Sequence, residues 1–393
     1  MARKKQKAAF DVDGFCREFA ESPHSAGCID ASLIPLEGNK RARRDSVRGV
    51  CPETPGVYGF VNSENHLIYV GMSRHLRNRV SSYFSTGRRT KETRVGRRGA
   101  YFLWQPAVHP LIARLRELEL IRRFTPALNV EGHPWRMREA YVVLKQGDAG
   151  HFELKTDPSG DFAAVWGPIP MNRANRSAVE ELNRYFGLRD CPSSTPMNFS
   201  DDRLEVIDSR ISCIRADTAS CLAPCIGNCS RAEYAKAIRA ASRFLEGKTT
   251  KVIGELNKKM QQASQQQRFE RATRYRNSVQ ALERLDMFLR KFHDWREEAT
   301  FVYPVDDSGQ VGKRWLVVVR GVIQCILSPQ TAAETRKTLE QILAAPHAFP
   351  IDPRTNQFQS ARVVHKWFRK YPDEAKNTLT LKQAIARCRR KVA

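Results

Sequence analysis

The stretch that most constrains the fold of this chain is residues 55–84, PGVYGFVNSENHLIYVGMSRHLRNRVSSYF. Two runs rich in Val, Ile, Tyr and Phe flank the turn-forming residues 62–65, a pattern that predicts two antiparallel strands. A basic helix is predicted directly after the second strand. The paired strands would place Tyr58 and Tyr69 near one rim of a small sheet. The helical stretch adds three guanidinium groups, those of Arg74, Arg77 and Arg79.

The residues that follow complete a compact unit. Residues 87–99, GRRTKETRVGRRG, are predicted to be a flexible basic loop, and residues 101–104 a third strand. Residues 110–124 begin with proline and carry Leu and Ile at helical spacing, which predicts a helix packed on the sheet. We therefore expect an α+β domain at residues 51–131, built from a small antiparallel sheet with flanking helices.

The chain is strongly basic, with 66 Lys and Arg against 42 Asp and Glu, a formal charge of +24 and a pI near 9.9. This excess favours a polyanionic partner, because each neutralised phosphate releases counterions. We expect DNA; an anionic membrane surface is the alternative, and no strongly amphipathic basic helix supports it. The arginines expected to contact DNA are Arg74, Arg77, Arg88, Arg89, Arg97 and Arg98.

The N-terminus lacks the apolar core of a secretory signal, and no apolar run approaches membrane-spanning length. We therefore expect a cytoplasmic, nucleoid-associated protein with no membrane partner. Residues 1–50 are predicted to be a basic arm with one short helix at residues 12–21. Residues 132–229 are predicted to hold linker strands and a cysteine-rich region, residues 230–292 a helical region that includes a hairpin, and residues 293–393 a small α+β region of unknown role.

The cysteine-rich region supplies four thiols, the number needed for a four-iron–four-sulfur cluster or a structural zinc. The spacing of these cysteines does not choose between the two, and unrelated free cysteines are the alternative. Cys229 is an additional thiol in the same region. The four candidate ligands are Cys191, Cys213, Cys221 and Cys225.

Glu117 lies at the edge of the apolar stripe of the 110–124 helix, where its carboxylate can point at the tyrosine rim. A single carboxylate suits Mg²⁺ or Mn²⁺, which keep much of their water and take few protein ligands. The alternative is an ordinary ion pair along the helix with Arg114 or Arg122. Residue spacing alone does not separate these two readings.

Four motifs in one order carry a resemblance to a known family: PGVYGF…LIYVGMSRHLRNRVSSYF, ELELIRRFTPALNV, the cysteine motif around CLAPCIG, and FLEGKTTKVIGELNKKMQQASQQQRFERATRYRNSVQAL. The first two resemble the GIY-YIG nuclease domain, and the whole set resembles the bacterial UvrC excision-repair nucleases. The chain resembles a short form that lacks their C-terminal RNase H-like nuclease and helix-hairpin-helix region. The last motif resembles their UVR motif, a helical hairpin that docks on UvrB.

The resemblance implies roles for individual residues. Tyr69 would act as general base on a water, with Tyr58 hydrogen-bonding nearby. Arg79 would stabilise developing charge, Glu117 would hold the divalent metal, and Asn129 would close the domain. The resemblance also favours an iron–sulfur cluster over a structural zinc at the four cysteines. The residues that it implies for UvrB contact are Phe269, Arg271, Tyr275 and Arg276.

Two departures from the family pattern limit these expectations. Met72 stands where close relatives carry lysine after the second triplet, so a cation is missing near the phosphate unless Arg74 or Arg77 compensates. The C-terminus is too short for the second nuclease. We therefore expect a metal-dependent endonuclease that makes only the 3′-side incision in nucleotide excision repair, acting with UvrB on damaged duplex DNA. The alternatives are a non-catalytic adaptor for DNA and UvrB, or a GIY-YIG nuclease in another DNA-processing role.

Overall fold

The computed structural model describes residues 11–21, 30–84, 90–129, 139–192, 194–202, 213–307, 312–348 and 357–389. The chain forms two compact units. The first contains residues 1–136, 298–350 and 359–393, and the second contains residues 137–297 and 351–358. In the described part of the chain, no helix is both long and apolar enough to cross a bilayer.

The first unit begins with a four-stranded antiparallel sheet, in the order β1-β4-β2-β3. Its strands are β1 (Ser32–Pro35), β2 (Gly56–Val61), β3 (Leu67–Ser73) and β4 (Tyr101–Pro106). In the β2–β3 register, Tyr58 faces Gly71 and Phe60 faces Tyr69. The predicted α+β class with a small antiparallel sheet is confirmed.

Five helices surround this sheet: α1 (Val12–Ala20), α2 (Lys40–Val50), α3 (Leu76–Ser81), α4 (Lys91–Arg98) and α5 (Pro110–Phe124). Helix α3 continues into a 3₁₀ turn at Ser82–Phe84. Helix α5 packs on β2 and β3 and begins at Pro110, where the missing backbone N–H costs nothing.

Two segments differ from their predictions. Within residues 1–50, predicted to be an arm, β1 pairs with β4 and α2 buries Val47 in the core. Pairing between strands 70 residues apart leaves no local signal. Within residues 87–99, predicted to be a loop, α4 forms because the Thr90 hydroxyl accepts a hydrogen bond from the Thr93 backbone N–H, while the Thr93 hydroxyl accepts one from Thr90 N–H.

The second unit contains a three-stranded antiparallel sheet and four long helices. Its strands are β5 (Glu139–Lys145), β6 (Phe152–Lys155) and β7 (Phe162–Pro170), in the order β6-β5-β7. Helix α6 (Arg173–Tyr185) is followed by the short α7 (Ile214–Asp217) within the cysteine-rich region. The remaining helices are α8 (Arg231–Leu245), α9 (Lys251–Gln265) and α10 (Phe269–Glu298). Leu256 of α9 and Leu282 of α10 are buried in one core, as expected for a helical hairpin with an apolar seam.

The chain then returns to the first unit with a second three-stranded sheet. Its strands are β8 (Phe301–Asp306), β9 (Lys313–Val319) and β10 (Val322–Leu327), all antiparallel and in the order β10-β9-β8. The helices α11 (Ala332–Ala344), α12 (Gln357–Lys370), α13 (Pro372–Lys376) and α14 (Leu381–Arg389) follow. The predicted C-terminal α+β region is therefore present.

Candidate active site

Three tyrosines meet on the sheet of the first unit. The Tyr58 and Tyr83 hydroxyls are 2.8 Å apart and share a hydrogen bond. The Tyr69 ring centroid lies 6.3 Å from that of Tyr58 and 5.9 Å from that of Tyr83. Strands β2 and β3 supply the first two rings, and the 3₁₀ turn after α3 supplies the third. The predicted pair is thus part of a trio.

Gly71 makes room for this trio. A Cβ atom at position 71 would lie 2.6 Å from the Tyr58 hydroxyl oxygen and 3.1 Å from a Tyr69 ring carbon. Neither ring can move easily inside a packed core, so the glycine is required by close approach rather than by backbone conformation. The sequence pattern Tyr-Val-Gly therefore has a direct steric reason.

Arg79 lies beside the phenols. Its Cζ atom is 5.4 Å from the Tyr83 ring centroid, and its guanidinium donates to the Glu92 carboxylate at 3.3 Å. Burial alone would lower the pKa of Arg79, but Tyr58, Tyr83 and Glu92 raise it, so the net shift is upward. Arg79 therefore remains a cation whenever the site works.

The phenols differ in their surroundings. Burial, followed by the neighbouring Tyr69, raises the pKa of Tyr58, although Tyr83 and Arg79 oppose the shift. Burial and the two other phenols raise the pKa of Tyr83 as well. Tyr58 is 1% exposed and Tyr83 2%, whereas Tyr69 is 9% exposed and has the Lys91 Nζ atom 4.9 Å from its ring centroid. Tyr69 is thus the phenol best placed to reach a water or a substrate.

Glu117 is carried by α5, the helix that packs against the two tyrosine strands. Its carboxylate accepts a hydrogen bond from Arg114, and the residue is 9% exposed. The ion pair anticipated as the alternative to metal binding is therefore present. A divalent cation fits this carboxylate only if it takes the place of the Arg114 guanidinium, which is half-exposed and can swing away.

Asn129 fastens the end of the domain to β3. Its side-chain oxygen accepts from Val70 N–H at 2.9 Å, and its side-chain nitrogen donates to Val70 C=O at 2.8 Å. Val70 lies between Tyr69 and Gly71, so this amide pair holds the strand segment that carries the exposed phenol. The geometry gives Asn129 a positioning role.

The predicted DNA-binding arginines have different surroundings. Arg97 and Arg98 are exposed on α4. Arg77 donates to Cys51 C=O at 2.8 Å and to Glu53 at 2.9 Å, which ties it to the preceding loop. Arg74 packs against aromatic rings of the C-terminal helices. Arg88 and Arg89 lie outside the described residues.

The four candidate cysteine ligands lie in one electrostatic neighbourhood. Burial raises the pKa of Cys225, and the Cys213 and Cys191 thiols raise it further. Burial also raises the pKa of Cys221, with smaller contributions from Cys225 and Cys213. Across the described ranges, no three His, Cys, Asp or Glu side chains are placed to hold a single metal ion.

The predicted partner-contact residues surround the start of α10. Phe269 is 66% exposed, an unusual position for a phenylalanine, and Arg271 and Arg276 are also exposed. Tyr275 is half-buried and packs against the core of the second unit. The hairpin thus presents an apolar side chain among charges, as protein interfaces do.

Two residues of this site were not predicted from the sequence. Tyr83 lies four residues after Arg79, so one helical turn brings the phenol beneath the guanidinium; that spacing was available as a signal. Lys91 lies within residues 87–99, which were predicted to be a loop, and only the α4 helix places it over Tyr69.

Three segments of the chain match known protein families. Residues 54–130 match the UvrC-like GIY-YIG domain, residues 141–244 match the UvrC/Cho excinuclease middle domain, and residues 250–285 match the UvrB/uvrC motif. The chain therefore carries three UvrC-type domains in the order that its motifs indicated.

The chain is also similar to curated UvrC proteins and to a solved GIY-YIG domain. The chain is 28% identical to UvrABC system protein C of Tropheryma whipplei over 302 residues, 75% of this chain and 47% of that protein. It is 29% identical to that of Shewanella oneidensis over 236 residues, 58% of this chain and 36% of that protein. It is also similar to the magnesium-bound GIY-YIG endonuclease domain of Thermotoga maritima UvrC, with 30% identity, a TM-score of 0.21, and coverage of 22% of this chain and 97% of that domain. The matched region thus spans between about a third and half of the curated relatives.

Proposed function

We propose that this chain is a metal-dependent DNA endonuclease of the UvrC type, which makes the 3′-side incision in damaged duplex DNA together with a UvrB-like protein. The observation that carries the proposal is the trio of tyrosines beside Arg79. The strands that carry Tyr58 and Tyr69 are also the strands on which the Glu117 helix packs. The charge and exposure of each residue indicate its role in the reaction.

In this proposal, Tyr69 accepts a proton from the attacking water. It is the most exposed phenol of the trio, and a nearby cation is needed to stabilise its phenolate, since a phenol is a weak base at neutral pH. Lys91 lies over its ring. Tyr58 and Tyr83, held protonated by burial, keep the hydroxyl network in place.

Arg79 and Glu117 act on the phosphate. Arg79 remains charged and offers N–H donors where negative charge develops. Glu117 would hold Mg²⁺ or Mn²⁺ once Arg114 moves aside. A bound divalent ion supplies Lewis-acid stabilisation of the leaving oxygen.

The test is an incision assay on a lesion-bearing duplex with UvrB and Mg²⁺ present. We expect the native chain to nick the duplex, and both Tyr69→Phe and Glu117→Ala to lose at least a hundredfold in rate. Glu64→Ala is the matched control, because Glu64 is an exposed turn carboxylate on the same sheet. Nicking that survives in the Tyr69→Phe chain would overturn the assignment of the base.

We also propose that the four cysteines ligate an iron–sulfur cluster. The support is the grouping of the thiols, since Cys213 and Cys191 both raise the pKa of Cys225, and Cys225 and Cys213 raise that of Cys221. Anaerobically purified protein should contain about four irons per chain. Cys225→Ser should lose them, whereas Cys229→Ser should keep them because Cys229 packs in the apolar core. Stoichiometric zinc in place of iron would contradict the proposal.

A further inference from the structure

The C-terminal helices reach the catalytic sheet through one arginine. Arg74 comes directly after β3, the strand that carries Tyr69. Its Cζ atom is 5.5 Å from the Trp367 ring centroid and 4.6 Å from that of Tyr371. Nearly 300 residues separate these partners in sequence, and all three belong to the first unit.

The rings are themselves fixed in place. Trp367 Nε1 donates to the Glu374 carboxylate at 2.5 Å, and the Tyr303 hydroxyl donates to the same oxygen at 2.6 Å. The Trp367 and Tyr371 rings pack against each other, with centroids 4.6 Å apart. We call Trp367, Tyr371 and Glu374 the aromatic platform.

His109 connects the aromatic platform to α5. Its Nδ1 atom accepts from Leu111 N–H at 3.2 Å and caps α5, so the proton of the neutral ring is on Nε2, which lies 3.4 Å from the Tyr303 hydroxyl. The His109 ring also contacts the Trp367 ring at 5.5 Å. The platform therefore touches both the end of β3 and the start of the Glu117 helix.

The contact leaves Arg74 able to bind an anion. A guanidinium that stacks on aromatic rings uses its flat face, and its N–H groups lie in the plane around the edge. Arg74 remains exposed despite the two ring contacts. Binding a phosphate with a long, flexible side chain costs conformational entropy. Because the rings already hold Arg74 in one orientation, less of that entropy is lost when it binds.

We propose that the aromatic platform of the C-terminal segment holds Arg74 in position to bind a DNA backbone phosphate beside the cleavage site. The proposal rests on the proposed nuclease function and assigns a role to a segment that lies beyond the matched UvrC-type domains. Arg74 lies five positions after Tyr69 in the chain, about 17 Å at the rise of a β-strand. That distance corresponds to about five base-pair steps along a duplex.

The first test measures duplex binding without divalent metal, so that binding is scored independently of cleavage. Arg74→Ala should weaken binding about five- to tenfold at 0.1 M salt and reduce the slope of log K against log salt by about 0.9, the value for one lost phosphate contact. Tyr371→Ala should weaken binding about two- to fivefold. Arg336→Ala is the matched control, since Arg336 pairs with Glu340 in the same unit and does not touch the platform.

The second test asks whether the platform acts through Arg74. In the Arg74→Ala background, Tyr371→Ala should cause no further loss of affinity, and Arg74→Lys with an intact platform should recover part of it. In incision assays these variants should raise KM and leave kcat unchanged.

Additive losses from Arg74→Ala and Tyr371→Ala, or unchanged affinity in both, would overturn the proposal. Failure of the nuclease proposal looks different, because the native chain would then bind duplex DNA with this dependence on Arg74 and yet fail to nick it.

Discussion

Removal of the Tyr83 hydroxyl tests the role of the tyrosine trio. Tyr83→Phe removes the hydrogen bond between the two hydroxyls, so the buried Tyr58 hydroxyl has one partner fewer. We expect a stability loss of about 1 kcal/mol and an incision rate lowered about 10- to 100-fold, because the phenols lose their alignment. Thermal unfolding and single-turnover kinetics measure the two effects. Tyr101→Phe, outside the trio, is the control, and equal rates in the two variants would contradict this role.

Substitution of Lys91 tests whether a cation on α4 stabilises negative charge on Tyr69. Met72 occupies the position where lysine was expected from the family resemblance, and Arg77 is tied to Glu53, so neither supplies a charge at Tyr69. Lys91→Met should slow incision about five- to tenfold at pH 7, because the positive charge beside the Tyr69 ring is lost. Lys91→Arg should recover most of the rate. An unchanged incision rate in Lys91→Met would remove Lys91 from the mechanism; Lys382→Met is the charge-matched control.

At the scale of an element, the hairpin of α9 and α10 should act as a docking surface. Phe269→Ala should weaken UvrB binding about 30-fold, equivalent to the roughly 2 kcal/mol of an interface hot spot, with no change in thermal stability. Met287→Ala is the matched control, since Met287 is 54% exposed on the same helix but away from the hairpin turn. Titration calorimetry measures both. Equal affinities for the two variants would move the docking surface elsewhere.

The cap of α5 makes the first unit sensitive to acid. Burial, with Arg74 nearby, lowers the pKa of His109 to about 4, against about 6.5 in an unfolded chain. Between these values the unfolded chain binds a proton that the folded chain does not. This stability contribution is therefore complete above pH 6.5 and is lost as the pH falls towards 4. The groups facing His109 are Arg74, Tyr303 and, through Tyr303, Glu374.

His109→Asn separates this effect from general acid denaturation. Asparagine caps a helix well and does not titrate in this range, so the variant should lose less thermal stability than the native chain between pH 7 and pH 4.5. Melting curves at a series of pH values give the comparison. Parallel losses in both proteins would contradict the depressed pKa.

On the scale of the whole molecule, the elements with strong local signals were predictable. The two tyrosine strands, α5, the hairpin helices and the C-terminal strands follow from periodicity and turn chemistry in the sequence. Tyr58, Tyr69 and Arg79 were singled out from the strand and helix pattern, whereas their proposed roles and that of Glu117 came from the family resemblance. What could not be predicted depends on long-range pairing: β1 against β4, and Arg74 against Trp367. These contacts depend on packing between distant segments, which no local window contains.

The long-range contacts change the domain organisation that the sequence predicted. The C-terminal segment belongs to the same compact unit as the catalytic sheet, although more than 160 residues of the second unit lie between them in sequence. A chain with a formal charge of +24 would attract DNA phosphates at many points whatever its site does, so affinity alone is a weak test of the nuclease proposal. The position of the cut is more informative than the strength of binding.

The most direct measurement is therefore to map the incision on a duplex with one lesion, labelled in turn at the 5′ and 3′ ends of the damaged strand, with UvrB and Mg²⁺ present. We expect one nick on the 3′ side of the lesion, absent in EDTA and absent with Glu117→Ala. No nick by the native chain, or nicks on both sides of the lesion, would contradict a single GIY-YIG nuclease site.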